Sequence, residues 1–347
     1  MIEKYYSGVI EQIYNRIGKE TRNIVMANYS NDFSIENLEV IRRYQSNEDN
    51  VFFAYSEFSY NTLVGAYEPF LDIICNMHRR FIGGSFDDFQ KECGVYYLHR
   101  QVLNSYYETG ECFREETVLL NEVAYEQRRM TMAIADMLKK LSEVKPLMIV
   151  INRFQMASKS SIETIKYLID NPCANIGIVL GVNAIVKGTD STVEVWDRIV
   201  ESLEDRSAIY YIGSAGPLKN NVKTTNDDEL YITMNFEQSI QEASNIMEFL
   251  DFEQARRGCR IIEHKLKFED AWIDEKSLRR FYMVYARTSV LLGEMSKAIE
   301  LTNEYKALIP ENDSEHYLSL YYFMKGTCYM YQGKLEKAGN SAKSAYD

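Results

Sequence analysis

Proline is scarce in this chain, with 5 among 347 residues. Proline-rich disordered or collagen-like architectures are therefore excluded, and long uninterrupted helices are allowed. Histidine is scarcer, with 4 in all. His78, His99, His264 and His316 have no ligand spacing with one another or with cysteine, which argues against a zinc site. The 6 cysteines (Cys75, Cys93, Cys112, Cys173, Cys259, Cys328) contain no CxxC pair. In a chain this long they read as reduced core thiols of a cytoplasmic protein. No apolar run approaches the roughly 18 residues of a membrane span, and Leu147–Ile151, the best candidate, reads as a buried strand. Met1–Tyr6 lacks the basic-then-apolar layout of a signal peptide. Positive charge is in deficit: 39 Lys and Arg face 51 Asp and Glu, a net charge of −12. That argues against non-specific binding to nucleic acid or to an anionic membrane. No Gly-x-Ser-x-Gly elbow and no Cys–His pairing points to nucleophilic catalysis.

What is present is ordinary for a folded protein: 46% apolar residues, 26% charged residues and 26 tyrosines. The length fits two domains. Helical periodicity over residues 3–16 puts Tyr6, Ile10, Ile13 and Tyr14 on one face. Short all-apolar runs at 23–27, 51–55, 147–151, 175–180 and 208–212 read as five strands. Helices are predicted at 34–44, 66–82, 160–169 and 193–203. A further helical stretch is expected to run to about residue 143, broken near Gly83-Gly84 and Gly110. Apolar strands alternating with helices mark a parallel sheet with helices on both faces. Residues 213–230, rich in Gly, Asn and Lys, form the expected linker. From 235 onward the pattern is helical throughout.

The C-terminal third repeats. Ala255, Ala298 and Ala338 each follow a small residue by twelve positions: Ala243, Ala286 and Gly326. The steps between copies are 43 and 40 residues, and Pro310 closes the second copy. This resembles the tetratricopeptide repeat, a helix pair whose small residues let its two helices approach closely. About three repeats over 231–347 are expected. The chain ends about one turn after the last repeat without a polar capping helix, so a longer protein or a covering partner is expected.

The third strand continues Lys145-Pro146-Leu147-Met148-Ile149-Val150-Ile151-Asn152-Arg153-Phe154-Gln155-Met156-Ala157, with Ser161-Ile162 beyond. Through Lys145-Pro146-Leu147, Gln155, Ala157 and Ser161-Ile162 the segment resembles the Walker B region of the STAND class of P-loop NTPases. Those signal-transduction ATPases often carry tetratricopeptide repeats. The family places two acidic residues where Asn152 and Arg153 stand. Asn can bond a water but brings no charge, and Arg repels a divalent cation. The phosphate-loop position is equally altered. Tyr29 replaces the first Gly, Ser34 the Gly before the Lys, Ile35 the Lys and Glu36 the Ser or Thr. Asp32 and Glu36 add negative charge where phosphate would sit. Gly18-Lys19 lies before the first strand and has the wrong context for a phosphate loop. Ala66–Phe70 resembles a helix start of the family, and Asn183 stands near a sensor position.

The resemblance implies a degenerate P-loop NTPase-like module over 1–212, a linker over 213–230 and a tetratricopeptide-type solenoid over 231–347. It implies no catalysis, no cofactor and no metal, and a signalling or scaffolding role exercised through protein or peptide binding by the repeats. Direct nucleic-acid or membrane contact is not expected, while a homo-oligomer or larger complex would fit. Two alternatives stay open: a divergent ATP-binding switch, and the regulatory part of a transcription regulator or nucleotidyl-cyclase-type protein. Concave-face candidates are Ile240, Ser244 and Met247, then Arg280, Met283 and Arg287, then Leu320, Phe323, Thr327 and Met330. Arg280 and Arg287, seven residues apart, fall on one helix face and are expected to hold a carboxylate together. Asp87-Asp88 and Glu115-Glu116 read as solvated charge pairs.

Overall fold

The structure is a computed structural model. It describes residues 2–29, 38–46, 50–59, 63–114, 118–183, 193–206, 208–212, 235–268, 273–310 and 314–346. Ser34, Ile35, Glu36, Asp32 and the 213–230 linker therefore lie outside the described residues. Two compact units emerge. The first comprises Met1–Gly110 and Arg128–Tyr231, and the second Glu111–Gln127 and Ile232–Asp347. The sequence reading had placed all of 1–212 together. Residues 111–127 instead group with the C-terminal helices.

The first unit contains a five-stranded, all-parallel sheet of β1 (Ile24–Tyr29), β2 (Phe52–Glu57), β3 (Leu147–Asn152), β4 (Ile176–Asn183) and β5 (Ile209–Ile212), in the order β2-β3-β4-β1-β5. Every residue of β3 and β4 is buried. A strand hides both sets of alternating side chains only when both sheet faces are covered, which explains runs such as Leu-Met-Ile-Val-Ile. On one face α1 (Ile2–Tyr14) inserts Tyr6, Ile10 and Ile13 of its predicted stripe, together with Val9, against Val25, Ala27, Met148, Val150 and Val179, with Tyr14 of the stripe only partly buried. Val40 and Ile41 of α2 (Glu39–Ser46) join the same cluster. The other helices of this unit are α3 (Phe70–Met77), α4 (Phe86–Glu92), α5 (Tyr97–Thr109), most of α6 (Val123–Val144), α7 (Lys159–Asp170) and α8 (Val193–Glu204).

Local signals set several boundaries. Ser85 and Ser158 cap α4 and α7, accepting from Asp88 N and Ser161 N. Gly110 ends α5 in the left-handed conformation, at φ 75°. Beyond it, among the described residues, helix is next found at Val123. Residues 110–114 have no regular structure, and 118–119 none before a turn at 120–122. Their side chains offer no helical stripe to bury.

The second unit holds three helix hairpins: α9 (Phe236–Glu248) with α10 (Phe252–Phe268), α11 (Glu275–Leu291) with α12 (Met295–Ala307), and α13 (Ser314–Tyr331) with α14 (Leu335–Tyr346). Asn235 and Gln238 form a reciprocal capping box on α9, and Asp274 caps α11 through Ser277 N. Each hairpin turns through one left-handed residue: Leu250 (φ 69°), Gly293 (φ 77°) and Gly333 (φ 72°). These positions recur at the repeat steps of 43 and 40 residues (293 − 250 and 333 − 293). Ala243, Ala255, Ala286 and Ala298 are fully buried between paired helices. At Gly326 a Cβ would lie 3.3 Å from Ser341 Cβ and 3.5 Å from Ala338 O, so α13 and α14 touch through backbone.

These turns predict two distinct costs. Gly293→Ala meets no atom within 4 Å and pays only for its left-handed backbone. It should lower unfolding stability by about 1 kcal/mol. Gly326→Val forces two helices apart and should cost about 1–3 kcal/mol. Urea unfolding followed by circular dichroism reads both.

Candidate functional site

In an open parallel sheet, ligands bind beyond the carboxyl ends of the strands, where neighbouring strands send their connections in opposite directions. Here that point lies between β1 and β4: the chain leaves β1 toward β2 at one edge and leaves β4 toward β5 at the other. The residues there are the ones the Walker comparison singles out, and they bond to one another. Tyr29, at the end of β1, is fully buried and donates its hydroxyl to Asn152 Oδ1 at 2.6 Å. Asn152 Nδ2 donates to Glu57 Oε1 at 3.1 Å. Tyr55 donates to Glu57 Oε2 at 2.5 Å, and Arg153 Nη1 pairs with Glu57 Oε1 at 3.3 Å. Gln155 Oε1 accepts from the backbone N–H of Asn183 at 3.3 Å.

This network has consequences for charge. Glu57 is the one carboxylate among these groups, and Arg153 stands against it. Arg153 itself adopts φ 53° and ψ 40°, a left-handed conformation that costs a residue with a Cβ about 1–2 kcal/mol. Its ion pair with Glu57 and a bond from its own N–H to Asn152 Oδ1 at 3.0 Å hold it there. Asn152 thus accepts from two donors and gives to Glu57. Tyr29, Tyr55, Glu57, Asn152 and Arg153 thus form one hydrogen-bonded set at the strand ends. The sequence singled out Tyr29, Asn152 and Arg153 as altered positions and Gln155 as a matching one, but not Glu57 and Tyr55, which belong to a different strand.

Other chemistry is sparse. No cluster of His, Cys, Asp and Glu able to hold a metal occurs among the described residues. All six cysteines are free thiols. Burial pushes Cys75 and Cys93 up to about 12 and Cys328 up to about 11, so these groups stay protonated and poorly nucleophilic near neutral pH. No helix among the described residues is long and apolar enough to cross a membrane.

The second unit contains a groove of about 810 Å³ lined by the first helix of each hairpin and by residues of the 111–127 segment. Met247 and Glu248 come from α9. Met283 and Arg287 come from α11, and Leu320, Phe323, Thr327 and Met330 from α13. A spacing of four on α11 and of three, four and three on α13 puts these groups on one face of each helix. Seven of the ten concave-face candidates therefore line it, whereas Ile240 and Ser244 do not. Nor does Arg280: it is exposed and bonds Gln241 on α9, away from the groove lining. The expected Arg280–Arg287 clamp is thus corrected, and Arg287 has a different companion.

That companion is Arg114, which the sequence did not single out. Its side chain is 2% exposed, with Nε 3.7 Å from Glu248 Oε2 and Nη2 donating to the Glu248 carbonyl at 2.9 Å. Arg287 Nη1 approaches Glu248 Oε1 at 2.9 Å. One buried carboxylate thus sits between two guanidinium groups at the edge of an otherwise apolar groove. Burial holds the Arg114 pKa below its usual range, a shift that Glu248 opposes. Arg114 Nη1 has no hydrogen-bond partner among the described residues. The main chain around Arg114 is held as well: Cys112 N donates to Asn245 Oδ1 at 2.9 Å, and Leu120 N to Tyr331 Oη at 2.9 Å.

Comparison with known proteins finds no matching family model. No curated protein matches the chain either.

The two networks carry different loads. Tyr29→Phe removes one buried hydrogen bond of several on Asn152, and should cost about 1 kcal/mol. Glu248→Ala strands the buried Arg114 charge and should cost about 3–5 kcal/mol. Chemical denaturation of the two variants beside wild type measures the difference. Equal losses would contradict the assignment of Glu248 as the compensating charge.

Proposed function

We propose that the protein is a non-catalytic signalling or scaffolding protein. In this reading a degenerate STAND-class P-loop NTPase-like module is joined to a tetratricopeptide-like solenoid that binds a protein or peptide. The observation that carries it is the hydrogen-bonded set Tyr29–Asn152–Glu57–Arg153 at the strand ends, where the resemblance calls for phosphate and metal. Phosphoryl transfer needs backbone wrapped around phosphate, a cation to neutralise it, a metal and a group that positions water. Tyr29 fills space that glycine would leave open. Asn152 brings no charge, and Arg153 adds a positive charge where a metal would need a negative one. With those functions gone, the sheet serves as a mount.

The helical unit supplies the working surface. Three hairpins at steps of 43 and 40 residues, each joined by a left-handed turn and packed through small residues, support the repeat reading. Its groove combines Met, Leu and Phe, which adapt to varied partners, with a charged edge that sets orientation.

Isothermal titration of the intact protein with Mg-ATP and with Mg-ADP tests this reading. We expect no binding up to about 1 mM, a level at which the interaction is worth only about 4 kcal/mol. Micromolar affinity for either nucleotide would overturn it in favour of a divergent nucleotide switch.

A further inference from the structure

The second unit's groove is partly occupied by this chain itself. Residues 112–114 and 118–120 are not helical, and the groove helices bind them as they would a separate extended peptide. Side chains on the helices accept the segment's backbone N–H groups: Asn245 from Cys112 and Tyr331 from Leu120. Glu248 receives the segment's Arg114. Val118, half-buried, and Leu119, 46% exposed, line the groove beside these contacts. Backbone bonds for affinity and side-chain pockets for selectivity are the general means of reading an extended peptide.

The occupancy is incomplete. With the segment in place, about 810 Å³ of groove still opens beside Met283, Leu320, Phe323 and Met330. Phe323 and Met330 are 50% and 45% exposed, and Arg114 Nη1, although buried, has no acceptor among the described residues. A fully matched occupant would cover the former and bring an arginine whose donors are all satisfied. Covalent attachment compensates for the poor fit, because a tethered segment acts at an effective concentration of about millimolar.

We infer that the groove is a peptide site held by an internal stand-in, and that its external partner is an extended segment of the same chemistry. That partner would carry an arginine for Glu248, followed four and five residues later by aliphatic side chains, with bulkier apolar groups reaching toward Phe323 and Met330. It binds by displacing the chain's own 111–127 segment. The inference rests on the reading of the helical unit as a protein-binding surface, and it names the partner's pattern.

The test uses the full chain and a fluorescent synthetic peptide of residues 111–127 carrying Cys112→Ser. Wild type is compared with the double variant Arg114→Gln/Leu119→Ser, which weakens the internal occupant and leaves Glu248 paired with Arg287. We expect the variant to bind the peptide at least tenfold more tightly than wild type. Adding Glu248→Gln, or replacing the peptide's own arginine by glutamine, should remove most of that gain. Equal binding by variant and wild type, or indifference to the arginine, overturns the proposal. Hydrogen exchange on wild type gives a second reading that needs no variant. Millimolar peptide should speed exchange at the chain's own Cys112 and Leu120 amides, and unchanged exchange counts against displacement. Neither measurement reads nucleotide binding, so failure here leaves the reading of the strand ends to be decided by its own titration.

Discussion

A hydrogen bond of 2.6 Å from the Tyr29 hydroxyl to Asn152 Oδ1 spans from β1 to β3 over the strand between them. It can do so because β4 carries Gly181 there: a Cβ at that position would lie 3.0 Å from Asn152 Oδ1 and against the Tyr6 hydroxyl. The strand ends of this sheet thus close on themselves. Tyr6 meets Tyr29 edge to face with ring centroids 6.4 Å apart, which ties α1 into the same closure. Burial raises the Tyr6 pKa further above the physiological range, so its hydroxyl stays neutral and adds no charge to the crevice. Tyr29, Asn152 and Arg153 therefore belong to one arrangement, in which hydrogen bonds among neutral groups and a single ion pair with Glu57 fill the strand ends.

The helical unit depends on a different balance. A carboxylate and a guanidinium buried together repay their lost hydration only when the geometry satisfies both. Glu248 is well served by Arg287 at 2.9 Å and less well by Arg114 at 3.7 Å. Arg114 is the group that arrives on the non-helical segment, and it carries the unsatisfied nitrogen. In the displacement we infer, the α9–α11 pair of Glu248 and Arg287 stays and Arg114 is the part exchanged. The arrangement of these groups also explains how an acidic protein, at a net charge of −12, presents a charged groove edge in which two guanidinium groups flank one carboxylate.

Much of the fold was legible along the chain. Leu147–Asn152 is apolar on both alternating faces, so its burial within a parallel sheet followed from composition alone. The α1 stripe of Tyr6, Ile10 and Ile13 and the small-to-Ala spacing of twelve in each hairpin were equally plain. Asn152 and Arg153 stood out because acids were expected there. The segment after Gly110 was not legible as a groove occupant. It has no periodicity to reveal its conformation, and its contacts, Cys112 with Asn245 and Arg114 with Glu248, join residues 133 and 134 apart. A buried arginine looks like any surface arginine when only its neighbours in sequence are known. Arg280 shows the converse: seven-residue spacing placed it on the same helix face as Arg287, yet Gln241 of α9 takes it out of the groove.

The sequence by itself determined the strands, the repeat steps and the uncharged and basic residues, Asn152 and Arg153, at the end of β3, because these are local properties of residue type and spacing. Only the tertiary structure decided what those residues bond to and what lines the groove. Tyr29, Glu57 and Asn152 come from three strands, and Arg114, Glu248 and Arg287 from a loop and two helices. Contacts of that kind are set by chain crossings and close approach, which a linear pattern does not encode.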